Sequence, residues 1–236
     1  MQLEVIARIQ SGFPAKFGIP RQSGMVKDLR ADIFFEEDFR DPQALRGLEA
    51  FSHIWLLWGF SAHNKKAWSP TVRPPRLGGN ARMGVFATRS PYRPNAIGLS
   101  CVELAGLELN GPKGPVLHVR GADLMNGTPI YDIKPYLPYT DSWPDATGGF
   151  TDDVPQALLQ VDIAPHWCAL LSPQDEKVLR ELLAQDPRPP YQRDARRVYG
   201  MAFGGFEVKF AVEEERLTVL SVRQEEEALP ARKFEK

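Results

Sequence analysis

The first two-thirds of the chain reads mainly as strands, the first of them alternating apolar and polar residues, split by glycine and proline. Leu3 to Ile9 is the first such stretch. Ala31 to Phe35, Phe51 to Phe60, Met83 to Thr88, Leu99 to Leu109 and Pro115 to Arg120 follow. Alternation of this kind buries one face of a strand and leaves the other wet. One short helix is predicted among them: Asp41 can cap it, Pro42 suits the first helical position, and Gln43 to Ala50 carries Leu45 and Leu48. Strands joined by turns rather than crossover helices argue against a doubly wound sheet and favour a closed or nearly closed antiparallel barrel.

The pattern changes after Pro135 to Phe150, a stretch rich in Pro, Tyr, Asp and Gly that reads as an irregular linker. Ala157 to Ile163 reads as a strand. Ser172-Pro173-Gln174-Asp175 then opens a helix with a capping hydroxyl, a first-turn proline and an acidic third position. Val178, Leu179, Leu182 and Leu183 give that helix one apolar stripe, and Asp186 to Tyr191 ends it. Val198 to Phe203, Phe206 to Val212 and Leu217 to Val222 form a predicted meander. The expected fold is mainly β: a single-sheet antiparallel β-barrel over residues 1–146 and a small α+β domain over 147–236.

Composition narrows the class. At 236 residues and 43% hydrophobic, the chain can bury a real core. No apolar run approaches the roughly 20 residues of a membrane span, and Met1 to Val5 lacks a signal-peptide layout. Two cysteines, Cys101 and Cys168, support neither a disulfide framework nor a zinc site. Cys101, in an apolar strand, is expected in the core. A reduced cytoplasmic protein with no metal and no membrane is the expectation.

The net charge of −1 hides an asymmetry. Ala50 through Val102 contains no Asp or Glu, yet holds Lys65, Lys66, Arg73, Arg76, Arg82, Arg89 and Arg93. A basic stretch of this kind suits a polyanion or an anionic small-molecule group.

Four segments have compositions that packing alone explains poorly. They are Phe17 to Gly24, exposing Arg21 and Gln22; Ser61-Ala62-His63-Asn64; the proline-fixed run Ala87 to Leu99; and Gly121 to Tyr136. In the last, Asn126-Gly127 is a hairpin-turn signal, and Asp132 and Lys134 lie on one face of an extended strand. The chain has no G-x-G-x-x-G, phosphate loop or G-x-S-x-G elbow. The residues alone therefore give a barrel with a rigid polar and basic pocket for RNA or a nucleotide. A non-catalytic binding barrel fits them as well as an enzyme does.

Together these segments resemble the TsaA-like family, the TrmO-type tRNA adenine N6-methyltransferases. The resemblance rests on Gly18-Ile19-Pro20-Arg21-Gln22, Ser52-His53-Ile54-Trp55, Arg73-Pro74-Pro75, Gly84 to Asn95, Asp123-Leu124, Gly127-Thr128-Pro129 and Asp132-Ile133-Lys134-Pro135-Tyr136. Asp186 to Pro189 and Tyr199-Gly200-Met201 extend it into the second domain. Asn126 stands where the family carries Asp, and Ala96 where it carries proline. The resemblance implies a homodimeric barrel that binds S-adenosyl-L-methionine and methylates N6-threonylcarbamoyladenosine beside the anticodon of threonine tRNA. It implies cofactor contacts at Pro20, Arg21, Gln22, His63, Asn64, Arg89, Leu99, Asp123, Leu124, Met125 and Asn126. On that reading Asp132 is the expected proton acceptor or orienting group, with Lys134 or Tyr136 polarising the ureido carbonyl. Lys65, Lys66, Arg73, Arg76, Tyr92 and Arg93 are the expected RNA contacts, with Tyr92 or Trp68 stacking on the base.

Overall fold

The computed structural model describes residues 2–61, 68–77, 81–152, 157–189 and 194–225. Its N-terminal part contains β1 (Ala7–Ser11), β2 (Arg30–Phe35), β3 (His53–Gly59), β4 (Thr71–Val72), β5 (Met83–Gly84), β6 (Ile97–Glu108), β7 (Val116–Arg120) and β8 (Pro129–Pro135). Six of these close into a barrel in the order β1-β2-β7-β6-β3-β8. Every neighbouring pair is antiparallel. Register fixes which side chains fill it: Ile9 pairs with Ile33, Ile33 with Leu117, Ile54 with Val102, and Ala7 with Ile130. All of these are buried. Each large aliphatic side chain so enclosed contributes about 1.5–3 kcal/mol, and closure leaves the sheet without an edge. The expected mainly-β architecture is borne out.

Several local expectations change. The first ladder starts at Ala7, leaving Leu3 44% exposed. The predicted helix after Asp41 is two 3-10 turns, Pro42–Leu45 and Leu48–Ala50, split by Gly47 in the left-handed region at φ 89°. The cap itself forms, with Asp41 Oδ1 accepting from the Gln43 amide at 2.9 Å. Met83 to Thr88 is a two-residue strand followed by a single turn, Val85–Ala87, with Val85 buried and Phe86 73% exposed. Asn126-Gly127 does make a turn, the Thr128 amide donating to the Met125 carbonyl at 3.1 Å. The strands it joins, β7 and β8, are not neighbours, so it belongs to a crossing connection rather than a hairpin. Cys101 lies on the outer face of β6 and is only partly buried; Ser100 faces inward instead.

After β8 come α1 (Pro138–Asp141), β9 (Gln160–Asp162), α2 (Pro165–Cys168), α3 (Pro173–Ala184), β10 (Tyr199–Phe203), β11 (Phe206–Glu213) and β12 (Arg216–Gln224). The second sheet has the order β10-β11-β12-β9, with β9 parallel to β12 and the others antiparallel. The Ser172 hydroxyl caps α3 by accepting from the Asp175 amide at 3.1 Å. The helix buries Val178, Leu179, Leu182 and Leu183 against Met201, Phe210 and Leu217. Phe13, Val26 and Leu29, from the loop between β1 and β2, are part of this second core rather than of the barrel's. Phe17 from the same loop stacks on Tyr199 and Phe210. That loop crosses from one half of the molecule to the other.

Candidate active site

Antiparallel pairing brings three connections to one end of the barrel: the β1–β2 loop, the long β3–β6 connection and the β7–β8 crossing. Between them lies a cleft of about 490 Å³, within the size range of small-ligand sites. Its floor and one wall are Trp58, Phe60, Ile97, Gly98 and Leu99; Lys16, Arg21, Arg89 and Arg93 contribute positive charge. Among the described residues, Asp123 is the one acidic residue on its lining.

Asp123 is held tightly. The Ser100 hydroxyl donates to its Oδ1 at 2.6 Å, and the Trp58 indole N–H donates to Ser100 Oγ at 3.0 Å. Burial pushes the carboxyl above its ordinary range, opposed by the Ser100 hydrogen bond, the amides of Asp123 and Ser23, and the charge of Arg89. Opposite it, Arg89 Nη1 donates to Gln22 Oε1, and Arg21 Nη2 donates to the Asp186 carbonyl at 3.1 Å, linking the cleft to the second half of the chain.

Of the expected cofactor contacts, the structure gathers Pro20, Arg21, Gln22, Arg89, Leu99, Asp123 and Met125 on the cleft. Leu124 is in the barrel core, and Asn126 Oδ1 turns away to accept from the Ser11 amide at 3.2 Å. His63 and Asn64 lie outside the described residues, as do Lys65, Lys66 and the side chain of Arg76. Arg73 is exposed beyond β4. Arg93 is committed to its own loop, donating to the carbonyls of Thr88 at 2.6 Å and Val85 at 3.3 Å, with its guanidinium 5.7 Å from the Phe86 ring. Tyr92 and Trp68 are exposed near it.

Asp132, Lys134 and Tyr136 are not on the cleft lining. Asp132 and Lys134 project from the outer face of β8, where they form an ion pair at 2.8 Å. Tyr136 packs against His53 and Trp55. Cross-strand register places Leu99 opposite Leu57, and Leu57 opposite Asp132. Asp132 therefore shares one face and one row with the cleft wall, two strand spacings or roughly 10 Å away.

Sequence reasoning missed Trp58, Ser100, Phe60 and Lys16. Trp58 and Ser100 sit in runs that read as plain core. Only a hydroxyl at an inward position of an apolar strand distinguishes Ser100. Phe86, within the Gly84 to Asn95 motif, has a largely exposed ring that its sequence context does not signal. Among the described residues, no three His, Cys, Asp or Glu side chains gather to hold a metal ion. No helix among them is long and apolar enough to cross a membrane.

Fold and cleft together define a closed barrel with a charged cleft of small-ligand size at one end, not a doubly wound α/β sheet. Models of the tRNA-methyltransferase O N-terminal domain and the TrmO C-terminal domain match residues 8–142 and 156–225, and the chain belongs to the TrmO family. It is 43% identical over 219 residues to a tRNA (adenine(37)-N6)-methyltransferase of Escherichia coli, covering 89% of this chain and 93% of that one. An Eikenella corrodens protein of the same name is 49% identical over 165 residues, covering 70% and 92%. The crystal structure of a Pseudomonas aeruginosa TrmO superposes with a TM-score of 0.75 at 33% identity, covering 95% of this chain and 97% of that one.

Proposed function

We propose that this chain methylates N6 of adenine 37 in tRNA with S-adenosylmethionine, and that the acceptor is N6-threonylcarbamoyladenosine in threonine tRNA. The Escherichia coli and Eikenella corrodens relatives, which cover 89% and 70% of this chain, carry the adenine-37 activity in their names. The observation that carries the methyl-donor half is the charge pattern of the cleft: one desolvated carboxylate faces several cations across an aromatic and aliphatic floor. S-adenosylmethionine has the matching groups, a sulfonium and an amine for Asp123, a carboxylate for Arg21 or Arg89, and apolar faces for Trp58, Phe60 and Leu99. A planar guanidinium suits the carboxylate because it pairs bidentately.

When bound, the donor supplies an electrophilic methyl group on sulfur. The chain's own part is positioning and proton handling. The acceptor nitrogen belongs to a urea and must lose its proton. Asp132 is the proposed acceptor, with Lys134 paired to it at 2.8 Å and able to polarise the ureido carbonyl. An adenine at the cleft mouth beside Leu99 would lie over the outer face of β6 and β3, the path that leads to Asp132. Tyr136, at the end of the same strand, borders that path. Arg73, Tyr92 and Trp68 hold the surrounding loop, and salt weakens binding in proportion to the phosphates engaged. The same reading includes a homodimer, checked by sedimentation.

Incubation with donor and tRNA, followed by mass spectrometry of the nucleosides, tests the substrate. Methyl on threonylcarbamoyladenosine is expected; methyl on unmodified adenosine alone overturns that part. Asp132→Asn is expected to cut turnover by a hundredfold or more, on the order of general-base losses, with donor affinity kept. Unchanged turnover removes Asp132 from the reaction.

A further inference from the structure

We infer that Ser100 is a positioning residue for the methyl-donor site, its hydroxyl, steadied by the Trp58 indole, fixing both the orientation and the charge of Asp123. The proposal rests on the reading of the cleft as the donor site.

Along β6 the inward positions are Gly98, Ser100 and Val102, and the outward ones Ile97, Leu99 and Cys101. Ser100 is 1% exposed and, among the described residues, one of only two buried polar side chains. A hydroxyl at an inward barrel position costs free energy unless it is hydrogen-bonded. Ser100 uses both of its capacities, accepting from Trp58 Nε1 and donating to Asp123 Oδ1. Donors in series polarise one another, so the bond that reaches the carboxylate is strengthened by the one behind it. Gly98 completes the arrangement: a Cβ there would overlap the Trp58 ring, so only glycine lets the indole lie under the cleft. An alanine at 100 and a phenylalanine at 58 would fill the same space with no polar group to satisfy. The polar pair is needed only if a carboxylate at 123 must stay charged and aimed.

The other groups facing that carboxylate come from separate elements. Arg89, whose charge acts on the carboxylate, lies with Arg93 on the β3–β6 connection; Lys16 and Arg21 line the same cleft from the β1–β2 loop, where the Ser23 amide also favours the anion. The arginines and the lysine sit on loops, whereas Ser100 and Trp58 are on barrel strands. The relay is the rigid contribution.

Calorimetric titration of the full-length protein with S-adenosylmethionine, from about pH 4 to about pH 8, tests this. Ser100→Ala is expected to weaken binding about tenfold at neutral pH, the loss typical of a hydrogen bond to a charged group. It should also move the acid limb of the affinity profile to higher pH, because Asp123 then protonates more readily. Ser100→Thr restores both. Trp58→Phe shifts the limb in the same direction by less, and stands in if Ser100→Ala does not fold. In an Asp123→Asn background, Ser100→Ala should cost nothing further. An unmoved acid limb in Ser100→Ala or Trp58→Phe, or additive losses in the double variant, overturns the relay. Failure of the unaltered protein to bind the donor overturns the donor reading itself, and the relay with it.

Discussion

At the scale of single residues, Asp123 is pulled between stability and binding. Burial raises its carboxyl above the ordinary range, so the folded chain holds that proton more firmly than the unfolded chain does. Stability from this group is then greatest below the unfolded value and is lost as pH rises through the raised folded value. Asp123→Asn should therefore raise the melting temperature at neutral pH while weakening S-adenosylmethionine binding by tenfold or more. Thermal melts and calorimetry on one preparation check both, and a lower melting temperature would contradict the burial argument. Gly98→Ala should act oppositely, displacing the Trp58 ring. A cost of about 1–3 kcal/mol is expected from overpacking, with donor affinity falling alongside. Asp132 makes a different prediction: it is half-exposed and already paired, so Asp132→Asn should leave stability almost unchanged.

At the scale of elements, the turn Val85–Ala87 presents Phe86 with the Arg93 guanidinium over its ring and most of its surface in water. Exposed aromatics backed by guanidinium are good platforms for unpaired bases. Phe86→Ala should raise KM for tRNA about tenfold, the low end of base-stacking losses, with donor affinity unchanged by calorimetry. In α3, Ser172→Ala should cost about 1 kcal/mol through the lost cap. Leu183→Ala should cost about 2–5 kcal/mol through the cavity it leaves. Both are read from denaturant melts. This helix was legible in the sequence because cap, proline and apolar stripe all agreed over twelve residues. Leu45 and Leu48 were misread as a helix because their spacing fits one, while Gly47 between them takes a left-handed angle that breaks it. The barrel was legible from period-two alternation, but alternation does not say which strands are neighbours. Asn126-Gly127 therefore looked like a hairpin. The cleft loops were found by their rigid, polar composition. Trp58 and Ser100 were not, because a polar bond inside a barrel depends on register across strands, which one strand's pattern does not contain.

At the scale of the whole molecule, the β1–β2 loop is the feature with the widest reach. Phe13, Val26 and Leu29 are anchored in the core under α3, and Phe17 stacks on Tyr199 and Phe210. The residues between them, Pro20, Arg21 and Gln22, form one side of the cleft. Phe17→Ala should cost roughly half of the 3–5 kcal/mol seen for a fully buried phenylalanine, and weaken donor binding without touching the cleft directly. Normal affinity in that variant would show that the anchoring is dispensable. The same threading makes the two halves thermodynamic partners. Any ligand seated in the cleft is bound by a segment whose folded shape depends on the second core, so its binding energy is shared with that core through linkage. Saturating donor should then delay melting of the C-terminal sheet as much as of the barrel. Hydrogen exchange on β10 and β11, which do not line the cleft, would slow when the donor binds.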